Sequence, residues 1–257
     1  MPTRRLLLAL AVSAVLPFAA ASAAPSRAPA DTVAAVAAPG RPAESTALDA
    51  GRRPAEVLTF GGLRRGDRAL DLYTDSAYYG EIMARAVGPT GSVFGWQPTE
   101  FTQDSTRADL NGVAQRSPNF RVVFTPANGF TLPTAAFDFA MIHLNYHDTY
   151  YTNERRHYAM DPEGFLRTVF QSIKPGGTIV VVDHVANPGG DTRAVVEALH
   201  RIDPAVLRAD FERAGFVFDG ESDVLRVPAD DHSKNVFDPS IRGNTDRVVY
   251  RFRRPAR

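Results

Sequence analysis

With 257 residues, 44% of them hydrophobic and 23% charged, the chain can bury one sizeable core and is too apolar to be disordered throughout. Lys plus Arg and Asp plus Glu balance at 29 each, so no net field draws the protein to nucleic acid or an anionic membrane, and no nucleic-acid partner is expected. The absence of cysteine excludes disulfides, a thiolate nucleophile, Cys-based zinc sites and iron–sulfur clusters, which leaves chemistry to the histidines and carboxylates.

At the N-terminus, Arg4 and Arg5 precede an apolar run from Leu6 to Phe18 and small residues from Ala19 to Ala24, with Ala21-Ser22-Ala23 fitting an A-x-A cleavage pattern. A signal peptide over residues 1–23, cleaved after Ala23, is expected, and with it a periplasmic or secreted bacterial location. The run falls short of the roughly 20 residues that span a bilayer, so no stable membrane anchor is expected. Thr3-Arg4-Arg5-Leu6-Leu7 weakly resembles a twin-arginine signal. Residues 24–47 are Ala- and Pro-rich without an amphipathic period and read as a flexible linker. The folded domain is expected over 48–257.

Within that domain Pro54–Phe60 reads as a short helix with proline at its first position. Arg68–Tyr73 reads as a buried strand, Thr74–Ala77 as a tight polar turn, and Tyr78 onward as a helix with Tyr79, Ile82, Met83 and Ala86 at i, i+3, i+4 and i+7. A strand feeding directly into a helix N-terminus presents unpaired N–H groups where an anionic group can dock. Ser92–Gln97, Phe120–Thr125 and Phe137–Leu144 read as further strands, with a helix over Asp104–Arg116. Asp161 and Pro162 open a helix with Phe165, Leu166, Val169, Phe170 and Ile173 on its buried face, closed by Lys174-Pro-Gly-Gly177. The β-branched run Ile179–Val182 suits a strand covered on both faces. Asp203-Pro204 starts a helix through Leu207, Phe211 and Ala214, and Phe216–Phe218 and Arg247–Phe252 supply the last strands. The pattern is an α/β doubly wound sheet.

The strand ending in Asp71, the segment Phe137-Asp-Phe-Ala-Met-Ile-His-Leu-Asn-Tyr-His-Asp148, and Lys174-Pro-Gly-Gly-Thr-Ile-Val-Val-Val-Asp-His184 together resemble class I S-adenosylmethionine-dependent methyltransferases. Leu199-His-Arg-Ile-Asp203, Glu221-Ser-Asp-Val-Leu225 and the segment from Pro228 to Arg247 narrow the resemblance to a bacterial group of exported predicted methyltransferases. The resemblance implies a Rossmann-like sheet of about seven strands with the last antiparallel, S-adenosylmethionine across the ends of the first two strands, and a small-molecule methyl acceptor. In the family pattern an acidic residue is followed by glycines at alternating positions; here Asp71 is followed by Tyr73, Asp75 and Ala77. The acidic residue expected at the end of the second strand is replaced by Gln97, with Glu100 slightly beyond.

Two readings of these departures stand side by side. In one the turn is reshaped, so that Ser76, Tyr78 and nearby backbone N–H groups hold the cofactor's carboxylate, Asp75 lies near its ammonium or sulfonium, and Gln97 and Asn145 complete the site. In the other the cofactor site is lost, and the fold survives as a non-catalytic periplasmic binding protein or as an enzyme acting without this cofactor.

Methyl transfer asks chiefly for orientation, with a base where a proton must leave. The candidates lie where the fourth strand ends: His147 as base, Asp148 orienting it, Asn145 and Tyr146 positioning the acceptor. Asp183 and His184, at the end of the fifth strand, face the same edge. By resemblance His200 and Arg201 line the site, and the polar segment 228–247, carrying His232, Lys234, Asn235, Arg242 and Asp246, suits a lid. His143 precedes His147 by four residues, but on a strand that spacing makes no metal pair, and no metal is expected. Oligomeric state is not encoded in any feature of the sequence.

Overall fold

The computed structural model describes residues 27–256, so the expected signal peptide and its cleavage site lie outside the described residues. At its centre β1 (Arg68–Leu72) runs parallel to β2 (Ser92–Pro98) on one side and to β4 (Phe137–His143) on the other. Beyond β2 lies β3 (Phe120–Thr125), and beyond β4 lies β7 (Ile173–His184), both parallel. The last strand, β9 (Arg247–Arg253), inserts antiparallel between β7 and β8 (Val217–Glu221). The seven-stranded order is β3-β2-β1-β4-β7-β9-β8. A two-residue ribbon, β5 (Thr152–Asn153) with β6 (Tyr158–Ala159), stands apart from it. The order reverses between β1 and β4, and the crevice at such a switch point is where open α/β sheets bind ligands.

Strand alternation builds a core on each face of the sheet. Leu70, Leu72, Ile142, Ile179 and Val181 face one cluster; Ala69, Met141, Val180 and Val182 face the other. The run Ile179–Val182 is fully buried, as its composition demands. On the second face α5 (Tyr78–Val87) buries the expected stripe and also Tyr78, Glu81, Ala84 and Val87. Its outer side needs a cover, and the N-terminal segment supplies one.

That segment corrects the linker expectation. Within residues 24–47, α1 (Thr32–Ala37) packs against α4 (Pro54–Gly61) and α5, and α2 (Ala43–Thr46) follows it; beyond them α3 (Asp49–Arg52) leads into α4. Asp31 caps α1 by accepting from the Ala34 N–H. Thr32 Oγ1 donates to the Ala55 carbonyl at 3.1 Å and meets Thr59 Oγ1 at 2.7 Å. Arg27 pairs with Asp67 and Asp138, and the buried Arg41 forks onto Asp49 at 2.8 and 2.7 Å. A helix of under two turns shows too few periodic positions to stand out in sequence, whereas the Asp31 cap and the Arg41 guanidinium, which also donates to the Val36 carbonyl, hold α1 in place.

Elsewhere α6 (Asp104–Arg116) matches its expected bounds. Helix α7 (Pro162–Ser172) ends one residue before Ile173, which opens β7 instead; the Lys-Pro-Gly-Gly stretch stays in the strand and shifts its register against β4 between Phe137 and Phe139. Helix α8 (Thr192–Leu199), capped by Asp191, was not anticipated. Helix α9 (Pro204–Arg213) begins at Pro204 as its Asp203 cap dictates. Among the described residues no helix is long and apolar enough to cross a membrane.

Candidate active site

The turn after β1 keeps a backbone that its sequence disfavours. Tyr73, Asp75 and Ala77 have φ of 54°, 48° and 54°, the left-handed region that costs an L-residue roughly 1–2 kcal/mol. These are the three positions at which the sequence resemblance leads one to expect glycine. The surroundings impose the conformation: the Thr74 N–H donates to the Trp96 carbonyl at 3.0 Å, the Ala77 N–H to the Thr74 carbonyl at 2.6 Å, and the Asp75 N–H to Gln97 Oε1 at 2.8 Å. The Tyr73 ring turns inward, edge-on to Trp96 at 4.9 Å, with its hydroxyl against Tyr158 and Met160.

Beneath the turn Asp71 is buried and accepts from Thr74 Oγ1 at 2.5 Å. Burial pushes its pKa up to about 7, against the lowering effect of the Thr74 and Gly80 hydrogen bonds. A Cβ at Gly80 would stand 2.9 Å from Asp71 Oδ2 and 2.7 Å from the Phe120 ring. The close approach of α5 to β1 therefore demands glycine at position 80.

The ends of β1, β2, β4 and β7 open on a cavity of about 530 Å³, within the range of roughly 300–1,000 Å³ found for small-molecule sites. One wall carries Asp71, Tyr73, Asp75, Ser76, Tyr78 and Gln97; the facing wall carries Asn145, His147, Asp148, His184 and His200. All of these were expected from sequence. Arg52, Phe101, Arg156 and Phe237 also line the cavity and were not, because each arrives from a segment with no motif of its own. The Arg52 guanidinium lies over the Tyr78 ring at 4.5 Å, and Tyr78 donates to Asp49 Oδ1 at 2.6 Å. Helix α5 has no side-chain cap, so with the Gly80 N–H given to Asp71 its Tyr78 and Tyr79 amides remain available to an anion. Glu100 is not available to a ligand in the same way, since both its oxygens accept from the Ala127 N–H.

On the facing wall the chain leaves β4 through Leu144, at φ 60°, into a single 3-10 turn from His147 to Thr149. The orienting partner of His147 is Asp183, not the expected Asp148. Asp183 accepts from the His147 backbone N–H at 2.8 Å and meets its Nδ1 at 2.7 Å. Burial pushes the His147 pKa down, but the Asp183 and Asp148 carboxylates outweigh it and lift the value to about 9. Asp148 Oδ1 lies 3.5 Å from His147 Nε2 and 3.7 Å from His200 Nδ1, while Asn145 Nδ2 donates to its Oδ2 at 3.0 Å. Burial raises the Asp148 pKa, yet His147, His200 and Asn145 together hold it below the ordinary value. His200 caps α8 at φ 51°, which swings its ring toward His147, Tyr151 and Phe237. His147, Asp148 and His200 thus offer three ligand atoms within 4.8 Å of one another, where no metal was expected. His143 is half-buried and His184 buried, and desolvation holds both well below the ordinary histidine pKa.

Four residues expected at the substrate are placed elsewhere. Tyr146 is fully buried, with its hydroxyl on Asp210 at 2.8 Å. Arg201, next to His200 but directed away from the cavity, is fully buried and forks onto Asp230 at 2.9 and 3.0 Å. His232 bridges Asn187 and Asp246, and the exposed Arg242 reaches only the Phe237 ring, at 5.9 Å. The segment expected as a lid is fastened by Asp230 to Arg201 and by Asp246 to Arg226; from it only Val236 and Phe237 touch the cavity.

The architecture is that of class I S-adenosylmethionine-dependent methyltransferases. A SAM-dependent methyltransferase from Aquifex aeolicus superposes with a TM-score of 0.54 at 19% identity, over 83% of this chain and 98% of its own. The 1,6-didemethyltoxoflavin-N1-methyltransferase of Burkholderia thailandensis, solved with 1,6-didemethyltoxoflavin and S-adenosylhomocysteine bound, superposes at 0.51 with 16% identity, over 82% and 80%. A third neighbour, the [4+2]-cyclase SpnF, superposes at 0.58 with 17% identity, over 81% and 82%. No family model and no curated protein matches the chain. Likeness at these identities establishes the fold; activity has to be argued from the site.

Proposed function

We propose that the protein is an S-adenosylmethionine-dependent methyltransferase acting on a small molecule in this cavity. The observation that carries the reading is the turn from Tyr73 to Ala77. Left-handed backbone at three non-glycine residues persists only where the surroundings over-determine it, and such strain concentrates at ligand sites. Nine non-glycine residues among the described ones have positive φ, and three of them fall within these five positions, the densest run in the fold.

The residues present suit the cofactor's polar groups. Arg52, Ser76 and the Tyr78 and Tyr79 amides of α5 would hold its carboxylate, Asp71 and Asp75 its ammonium group, and Gln97 its ribose hydroxyls. When bound, S-adenosylmethionine would supply a sulfonium-activated methyl, which an acceptor's lone pair would take while the electron pair of the broken C–S bond stayed on sulfur. The facing wall handles the acceptor. Asn145, His147, Asp148 and His200 would position its nucleophile, and Phe101, Tyr151 and Phe237 would pack against its apolar part. Orientation of two bound reactants supplies most of what such a transfer needs. With residues 1–23 removed, the protein would act outside the cytoplasm.

Calorimetric titration of the mature chain, cut after Ala23, with S-adenosylmethionine and S-adenosylhomocysteine tests the reading. Micromolar binding of both is expected. No heat at millimolar ligand from a folded protein would overturn it in favour of a non-catalytic binding protein, the reading that the neutral Gln97 favours.

A further inference from the structure

The acceptor wall is built like a metal site. His147 presents Nε2 to the cavity because Nδ1 is committed to Asp183 at 2.7 Å, the carboxylate–histidine arrangement that fixes the ring of a metal-ligating imidazole. Asp148 presents Oδ1 because Asn145 Nδ2 donates to Oδ2 at 3.0 Å. His200 Nδ1 is buried without a hydrogen-bond partner, and an imidazole nitrogen in that state calls for a ligand. The Asp148 Oδ1 separations of 3.5 and 3.7 Å lie close to the roughly 3–3.5 Å expected between donors each about 2.1 Å from a shared ion. From these observations we propose that His147 Nε2, Asp148 Oδ1 and His200 Nδ1 form a three-ligand site for a divalent transition-metal ion, with its open positions toward the acceptor.

The donor set selects the ion's class. Two imidazoles with one carboxylate suit zinc, manganese, iron or cobalt, whereas magnesium and calcium prefer oxygen donors. Three protein ligands leave positions for an acceptor oxygen or nitrogen, which the ion would bind and orient, so His147 serves as ligand rather than as a free base. The site itself stands on the cluster's geometry; only its use in methylation rests on the proposed function.

Chelator-treated mature protein titrated with Mn(II) and with Zn(II) tests the site. One ion per chain is expected, with affinity lowered about tenfold or more by His200→Gln and Asp148→Asn, and by roughly 10–100-fold through loss of the orienting partner in Asp183→Asn. His232→Gln, at a histidine–aspartate contact away from the cavity, should bind as wild type does. Failure of wild type to bind either ion stoichiometrically, or unchanged affinity in His200→Gln and Asp148→Asn, overturns the proposal. If those variants do not fold, the Co(II) absorption spectrum of wild type decides: imidazole-ligated bands uphold the site and an aquo-like spectrum overturns it. Parallel titration with S-adenosylhomocysteine separates the two readings, since a chain that binds the ion but not the nucleoside keeps this site and loses the methyltransferase assignment, while the reverse result removes this site alone.

Discussion

Asp183 grips His147 at two points, accepting from its backbone N–H at 2.8 Å and meeting its ring Nδ1 at 2.7 Å, and it accepts a third N–H from His184 at 2.8 Å. The carboxylate is fully buried, so the end of β7 and the turn after β4 share one anchor. Asparagine offers a single oxygen and would leave donors facing its amide nitrogen. Asp183→Asn should lower unfolding free energy by about 1–3 kcal/mol, measured by urea titration. Asp148→Asn, at a carboxylate that looks into the cavity, should cost less than about 1 kcal/mol while disabling the site. Equal losses at the two positions would show that Asp148 is structural as well.

A second prediction concerns Asp71, whose buried carboxyl has a pKa of about 7 against the ordinary 3.8. The folded chain holds this proton where the unfolded chain has already released it. The associated stability is therefore complete below about pH 4 and lost progressively as pH rises toward 7. Asp71→Asn keeps the shape and cannot titrate. The stability of wild type relative to Asp71→Asn should fall by about 2–3 kcal/mol between pH 5 and pH 8. A difference that stays flat would mean Asp71 is ionised in the fold at both pH values.

The sheet was legible because its strands are short apolar runs with one period and one environment, Ile179–Val182 being the plainest case. The cavity walls were legible where a motif fixes a strand end, as at Asp71, Gln97 and His147. What stayed hidden depends on contacts between segments far apart in sequence. Arg52 reaches the site only because α1 to α3 fold back over α5, and Asp183 orients His147 across 36 positions. His200 and Arg201 were equally plausible neighbours in sequence; a left-handed φ at His200 sends one ring toward the cavity and the next side chain into the interior.

The turn itself gives a prediction of opposite signs. Asp75 and Tyr73 share the same disfavoured φ, so glycine would relieve both backbones. Asp75 is exposed, and Asp75→Gly should be neutral or stabilise by up to about 1 kcal/mol once the greater freedom of glycine in the unfolded chain is counted. Tyr73 is buried against Trp96 and Phe165, and Tyr73→Gly should cost about 3–5 kcal/mol. Urea titration of the two variants reads both signs. A destabilised Asp75→Gly would mean that its carboxylate, rather than its backbone, holds the turn.

The last prediction addresses the ribose position. Gln97 Oε1 is committed to the Asp75 N–H, so the side chain offers the cavity its amide nitrogen, which can donate to a ribose oxygen and cannot accept from the diol's hydroxyls. Glutamate at this position would keep the bond to Asp75 and add a second, ionised oxygen. Hydrogen bonds to a charged acceptor are about twice as strong as neutral ones, so Gln97→Glu should tighten S-adenosylhomocysteine by about tenfold, equivalent to 1.4 kcal/mol. The buried charge, close to Asp75, should at the same time lower the stability of the free protein by about 1–3 kcal/mol. Calorimetry and urea titration on the same preparation give both quantities. Tighter binding at lower stability would place the ribose at the end of β2 and identify Gln97 as the residue that keeps affinity modest, whereas unchanged or weaker binding would mean that the nucleoside lies elsewhere in the cavity.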